Sequence, residues 1–272
     1  MRVLTHPGPV AARRLIAVPC RAQTVTLPLR AGLALDRAVA GAFAGAGFQA
    51  GYLRLAALPL SALAWVIPAR AAPGNPRVAW FSDTRRAAGG TIIAGGLHLG
   101  ARDGQPFVHC HGLWRDPDGA RHAGHLRADE TVLAQDCTAQ GWGLSGARFE
   151  VQHDPETGFP LFTPQPFGAM GPGEPATLQR LCPNQDLSRA LDGLPDGTRI
   201  EGIGSLIGTR FDDAPPIDGP ATEIWLREGR IAQGTARLRA VSVGMDGTAQ
   251  EGWLSRDENA VCVTAELLIL PA

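Results

Sequence analysis

The sequence contains no lysine, and all 25 of its basic residues are arginine. Together with abundant alanine, glycine and proline, this usage is typical of a high-GC coding sequence rather than of arginine-specific chemistry. Without lysine the chain cannot form a phosphate-binding P-loop, in which a lysine reaches the phosphates. The Gly202-Ile203-Gly204 segment is therefore only a weak indication of nucleotide binding.

Cysteine is sparse, and no two cysteines have the Cys-x-x-Cys spacing of redox and zinc motifs. The count is odd and the five residues are scattered: Cys20, Cys110, Cys137, Cys182 and Cys262. These features predict reduced thiols in a cytoplasmic protein, most of them buried as small apolar residues.

An excess of one charge and long apolar runs are also missing. The formal net charge is −1 and the pI is about 6.7, without the basic excess that usually marks nucleic-acid binders. The longest apolar run, residues 53–67, is interrupted by Arg54 and Pro59 and is too short to span a membrane. The N-terminal residues have no apolar core of signal-peptide length, so no secretion signal is expected.

Apolar periodicity predicts mostly β-structure in the first half, with one helix. Residues 14–29 alternate as strands do, and residues 33–48 carry apolar side chains at helical spacing. Asp36 lies in the first turn of that predicted helix, where a carboxylate favours the helix dipole. Residues 51–67 are predicted as a strand that breaks at Pro59.

The chain is predicted to form two domains. Residues 163–175 hold four prolines and three glycines, a composition typical of an irregular linker. The boundary separates a first domain, residues 1–162, from a second, residues 176–272. A short helix capped by Asn184 or Asp186 is expected near the start of the second domain.

The most informative stretch is residues 107–126, which is predicted to form a strand, a turn and a returning strand. Residues two apart on a strand share a face, so His109 and His111 project together and Cys110 points the other way. A turn at residues 116–119 can return His125 beside the pair. Three imidazoles on one face suit a divalent metal such as zinc with an open fourth position. An ordinary pair of surface or hydrogen-bonded histidines is the alternative.

An internal comparison at a shift of 128 residues supports the metal interpretation. Aspartate and glycine of the turn, and the glycine before the third histidine, recur in the second half, which indicates a duplicated unit. The histidines do not recur, because His109, His111 and His125 fall on Arg237, Arg239 and Trp253. The arginines could bind an anion, although two arginines on an exposed strand face are more often solvated.

These motifs resemble the PPC domain (plants and prokaryotes conserved, DUF296). The matching segments are His109-Cys110-His111, Asp116-Pro117-Asp118-Gly119 and Gly124-His125-Leu126, with Asp154 to Pro160 and Gly202 to Leu206 as further likenesses. The resemblance covers residues 14–162 and, as a diverged second copy with Trp253 in place of histidine, residues 176–272. It implies an α+β class with two tandem PPC-like domains, each a mostly antiparallel sheet with flanking helices. It also implies a trimer and a distant likeness to acetolactate decarboxylase, whose metal is held by a comparable histidine pattern.

Three functions are compatible with these features. The first is an oligomeric metal-binding protein with lyase or hydrolase chemistry on a small molecule, for which Glu130, Asp129 and His122 are the local acid–base candidates. The second is a DNA-binding or transcription-associated protein, as in plant PPC members, but the net charge and the lack of an Arg-Gly-Arg-Pro motif disfavour it. The third is a structural scaffold in which the metal joins the oligomer.

Overall fold

The computed structural model describes residues 2–272 and is mostly β-sheet with a single α-helix. The helix α1 spans Leu35–Gly45. The first-half strands are β1 (Leu15–Leu29), β2 (Gly51–Val66), β3 (Pro68–Ala69), β4 (Trp80–Phe81), β5 (Arg85–Ala87), β6 (Gly90–Arg102), β7 (Gln105–Arg115), β8 (Arg121–Leu126), β9 (Val132–Leu133), β10 (Cys137–His153) and β11 (Pro160–Phe167). The second-half strands are β12 (Glu174–Leu181), β13 (Arg199–Leu206), β14 (Thr222–Ala232), β15 (Thr235–Val243), β16 (Ala249–Trp253) and β17 (Val261–Leu270).

A single hydrogen-bonded sheet runs through both halves of the chain, in the order β16-β15-β14-β13-β17-β12-β1-β10-β6-β7-β8-β2-β5. The halves meet where β1 pairs antiparallel with β12. In the first half, β2, β6, β7 and β8 pair in a closed ring, because β8 returns to β2 through the pair Val66 and His125. One parallel bridge, Glu150 with Ala101, makes the sheet mixed.

The predicted helix is present, and its buried face explains why it forms. Leu35, Val39 and Phe43 are spaced by four residues and are fully buried. They join the largest apolar core, which also contains Ile203 and Trp225 from the second half. The two halves therefore share this core as well as one sheet, and the second half has a further core of its own.

Flanking helices were expected in both halves, and the second half differs. In place of the helix predicted after Asn184 it has a single 3-10 turn, Arg189–Leu191. Asp186 lies just before this turn, and its Oδ1 accepts from the backbone N–H groups of Ser188 and Arg189.

The segment predicted as an irregular linker is largely strand. Residues 163–167 belong to β11 and residues 174–175 to β12, so only residues 168–173 lie between them. Pro164 and Pro166 are tolerated because, among residues 2–272, β11 pairs only with β10 and its other edge has no partner strand. The prolines of this segment therefore belong partly to an edge strand and partly to a connection.

Pro59 also does not end its strand. β2 is continuous, pairing with β6 up to Leu60 and then with β9, β8 and β5. The proline lies where β2 changes partner, a position at which a missing backbone donor is least costly. Among residues 2–272, no helix has the length and apolar character needed to cross a membrane.

Candidate metal centre

The β7–β8 hairpin sets the three histidines side by side. Along β7, His109 and His111 share a face with Phe107, while Cys110 points into the apolar core. On β8, His125 lies directly opposite His111. Burial raises the pKa of the Cys110 thiol far above its usual range, so this cysteine is an inert core residue rather than a ligand.

Two glycines and one carboxylate shape the hairpin. Asp116 Oδ1 accepts from the backbone N–H of Ala120, and Gly119 closes the turn at a φ of 88°. Gly124 has a φ of 148°, and a Cβ there would lie 2.4 Å from the carbonyl oxygen of Val66. This position accepts only glycine, because it lets β8 approach β2 closely enough to pair beside His125.

The imidazole nitrogens of His109, His111 and His125 converge. One nitrogen from each residue lies within 4.8 Å of the other two, and the Nε2 atoms of His109 and His111 are 3.1 Å apart. Zinc–nitrogen bonds of roughly 2.0–2.1 Å in tetrahedral geometry place two ligand nitrogens about 3.3 Å apart. The spacing of the first pair therefore suits a shared metal ion.

In His109 and His111, the ring nitrogen that points away from the cluster, Nδ1, is hydrogen-bonded. His109 Nδ1–H donates to Glu266 Oε2 at 2.7 Å, and His111 Nδ1–H donates to the carbonyl oxygen of Ile224 at 2.9 Å. These bonds fix tautomers in which each Nε2 carries a lone pair facing its neighbour. Carboxylate and carbonyl acceptors behind the ligand imidazoles are typical of protein metal sites, so the donor set fits a metal.

Burial keeps two of the imidazoles uncharged. The pKa of His111 lies well below its usual value because of desolvation, and the neighbouring His109 lowers it further. The pKa of His125 is lowered in the same way, with His109 and His111 as secondary causes. At neutral pH both rings therefore offer lone pairs rather than protons.

A cavity of about 320 Å³ opens beside the histidines. Its walls come mostly from aromatic and aliphatic side chains of β4, β7 and the segment around β11: Trp80, Phe81, Phe107, Phe159, Leu161 and Phe162. Phe81 meets the edge of His125, with ring centroids 5.3 Å apart, and Trp80 stacks on Phe159 at 5.2 Å. The short β3–β4 ribbon thereby closes one side of the cavity.

The second half of the chain completes the cavity with two carboxylates. Glu266 and Glu223 line it and are almost fully buried. Burial raises the pKa of Glu223 to about 8, although the backbone N–H of His125 acts to lower it. Among residues 2–272, no partner is found for Glu223 Oε2 or Glu266 Oε1, so each carboxyl keeps one oxygen for a further contact.

The acid–base candidates chosen from the sequence lie elsewhere. Glu130 binds Arg86 and Arg127, and Asp129 also pairs with Arg127. His122 Nε2 lies 2.8 Å from Asp116 Oδ2, and its ring packs on Trp65. Neither Glu130 nor His122 lines the cavity of the three histidines.

Sequence reasoning missed Glu223 and Glu266. Both belong to the half without histidines, and Glu266 is 157 residues from His109, the side chain it contacts. The available signal was a lone carboxylate in the otherwise apolar run of residues 260–270. A charged residue in such a strand is rarely buried without a partner, and here the partner is His109.

Comparisons with protein-family models and with curated proteins each find no match. Solved structures give partial likenesses. A metal-containing protein of Archaeoglobus fulgidus is 22% identical over 52% of this chain and 94% of its own, with a TM-score of 0.39. A plant- and prokaryote-conserved (PPC) protein of Pyrococcus horikoshii is 15% identical over 54% and 96%, with a TM-score of 0.39. A protein of Ralstonia eutropha, named as a candidate DNA-binding protein, is 14% identical over 52% and 94%, with a TM-score of 0.40. At these identities and TM-scores, the likeness assigns neither a family nor a function to this chain.

Proposed function

We propose that this protein binds one divalent metal ion, zinc, through His109, His111 and His125, and uses it on a small molecule held in the adjoining cavity. The observation that carries the proposal is the pair of Nε2 atoms 3.1 Å apart. Their opposite nitrogens are hydrogen-bonded to Glu266 and to the carbonyl of Ile224. Two Nε2 atoms this close, each on a ring whose opposite nitrogen is hydrogen-bonded to an acceptor, have the arrangement expected of two ligands of one cation.

When bound by three histidines with an open position, such an ion supplies Lewis acidity for lyase or hydrolase chemistry. The chain's own residues have distinct tasks. Glu266 and Ile224 hold the rings of His109 and His111 in place, and the aromatic walls exclude water. Glu223, with Oε2 free in the cavity wall, is the carboxyl placed to hold a proton there. It takes the role that the sequence suggested for Glu130 and His122.

We also propose that the chain consists of two copies of one unit. Five antiparallel strand pairings of the first half have counterparts in the second. β1–β10 corresponds to β12–β17, β2–β10 to β13–β17, β2–β6 to β13–β14, β6–β7 to β14–β15, and β7–β8 to β15–β16. The cross-strand pair His111 with His125 corresponds, at a shift of 128, to the pair Arg239 with Trp253. Shared register in two hairpins supports duplication more strongly than matching residues alone.

In this proposal the second copy serves the site of the first. It supplies Glu266, Ile224 and Glu223 from β17 and β14, so the cavity is closed within one chain. A trimer, implied by the PPC resemblance, stays a prediction, and it is not needed to complete the cavity. The net charge of −1 favours a small-molecule ligand over DNA.

The test is the metal content of protein purified without a histidine tag, beside His111→Ala and the matched variant Arg239→Ala. About one zinc per chain is expected, with loss of metal from His111→Ala and none from Arg239→Ala. Because Arg239 occupies the equivalent place in the second hairpin, its variant controls for damage to the fold. Wild-type protein that stays metal-free after incubation with zinc would refute the proposal.

A further inference from the structure

Arg102 stands at the mouth of the cavity, at the last position of β6. Its guanidinium lies 3.7 Å from the ring centroid of Phe107. Phe107 shares a strand face with His109, two residues further along β7, a step of roughly 7 Å. A cation is therefore fixed within one small-molecule length of the histidine cluster.

This cation has no carboxylate partner of its own. Among residues 2–272, the Arg102 side chain makes no ion pair within 4.0 Å and no hydrogen bond. The nearby Asp129 uses both carboxylate oxygens on Arg127, and Glu130 binds Arg86 and Arg127. The neighbouring arginines are thus neutralised, whereas Arg102 presents an unpaired guanidinium to the cavity.

We propose that the cavity takes a small monocarboxylic acid, with its carboxylate on Arg102 and an apolar body along Phe107 and Phe162. The proposal rests on the proposed function, because it describes the ligand of the same site. Guanidinium and carboxylate match as a fork of two charge-assisted hydrogen bonds. The aromatic ring beneath Arg102 holds the guanidinium flat and lowers the water exposure of the pair.

The inner end of the cavity sets the remaining specificity. Glu223 and Glu266 line it with one unpartnered oxygen each, and among residues 2–272 Arg102 is the only arginine that lines the cavity, so a second carboxylate at that end would find no second guanidinium. The ligand therefore carries its acid at the outer end only. The volume of about 320 Å³ lies at the small end of ligand pockets, which span roughly 300–1,000 Å³.

The experiment compares 3-phenylpropionate with 3-phenylpropionamide, an uncharged analogue of the same shape, by calorimetric titration into zinc-incubated, tag-free protein. The wild type is expected to bind the acid about tenfold more tightly, as a charge-assisted bond at a partly exposed site would give. Arg102→Gln removes this preference without changing the affinity for the amide, and Arg102→Lys keeps part of it. Arg115→Gln is the control, because Arg115 is exposed on β7 and does not line the cavity.

Equal affinity for acid and amide in the wild type would overturn the inference. So would an acid preference that survives in Arg102→Gln, or binding of neither compound. The metal content of each sample separates the two proposals. Protein that holds zinc without preferring the acid refutes only the role of Arg102, whereas protein without zinc refutes the proposed metal site and still reports on the acid preference.

Discussion

The β7–β8 and β15–β16 hairpins have the same register but different contents. In the first, His111 faces His125, and in the second Arg239 faces Trp253. The guanidinium groups of Arg237 and Arg239 lie over the Trp253 ring, 5.4 and 6.0 Å from its centroid, and Arg239 also pairs with Glu251. The same hairpin backbone therefore accepts either set of side chains.

The surroundings of each hairpin determine the chemistry of its side chains. His111 is 4% exposed, and its outer nitrogen reaches Ile224 across the contact between the halves. The Arg239 side chain is 39% exposed and stays a solvated cation. Burial keeps His111 uncharged, and the acceptor behind its ring leaves the Nε2 lone pair free. Arg239 also has an acceptor, Glu251, but it lacks comparable burial.

The largest difference between the hairpins is expected in the response to zinc. With free zinc at about a thousand times its dissociation constant, the wild-type protein should gain about 4 kcal/mol of unfolding free energy. Removal of the ion by a chelator should reverse the gain. Thermal unfolding with and without zinc measures it.

The matched variants sharpen this comparison. His111→Ala should lose the zinc-dependent gain, while Arg239→Ala should keep it in full. Equal gains in both variants would show that zinc binds somewhere other than the β7–β8 hairpin.

A smaller effect is expected from the carboxylate behind His109. Glu266→Gln keeps an acceptor for His109 Nδ1–H but removes its charge, so zinc affinity should fall by about 10–100-fold, as for other outer partners of metal ligands. The matched change is Glu251→Gln, which alters the partner of Arg239 in the second hairpin and should leave zinc affinity unchanged. Competition with a chromophoric chelator measures both. An unchanged affinity in Glu266→Gln would mean that the carboxylate does not support the metal ligand.

The local part of the site was predictable from the sequence. Alternation along β7 placed His109 and His111 on one face, and the turn at residues 116–119 returned His125 opposite His111. The helix was also predictable, because Leu35, Val39 and Phe43 repeat at helical spacing. These features depend on backbone geometry within one or two elements.

The remainder depends on contacts between distant parts of the chain. Glu266 and Glu223 reach the histidines only because the second half folds back onto β6 and β7. The prolines at residues 164 and 166 were interpreted as a linker, since composition does not reveal whether a strand has one partner or two. Glu130 and His122 were predicted as acid–base groups because they are near the three histidines in sequence. Local patterns do not show which distant residues come close in space.

A further contrast between the two halves lies on β6 and β14, the strands next to the two hairpins. His98 pairs across β6 and β7 with His109, and Arg230 pairs with Arg237 at the corresponding place. Burial lowers the pKa of His98 to about 3, whereas Arg230 is exposed. Below the usual histidine pKa of about 6.5, the unfolded chain binds a proton that the folded chain refuses. His98 therefore destabilises the fold increasingly as pH falls from about 6.5 towards 3.

His98→Gln should remove this contribution while its amide retains a donor for the carbonyl of Glu266, the present partner of His98 Nε2. Between about pH 7.5 and about pH 5, the metal-free wild type should lose about 2 kcal/mol more unfolding free energy than the variant. Urea unfolding with a chelator present measures the difference, and Arg230→Gln serves as the control with the wild-type slope. Parallel slopes in His98→Gln and the wild type would contradict a neutral, buried His98.

The smallest effect is expected at the second hairpin itself. Arg239→Ala breaks a partly buried ion pair of 3.0 Å with Glu251 and a cation–π contact of 6.0 Å with Trp253. Pairs that solvent still reaches contribute about 1 kcal/mol or less, so metal-free stability measured by urea unfolding should change by no more than that. A loss of several kcal/mol would mean that the Arg–Trp cluster is as integral to its half as the histidines are to theirs. The second hairpin would then hold a structural centre of its own.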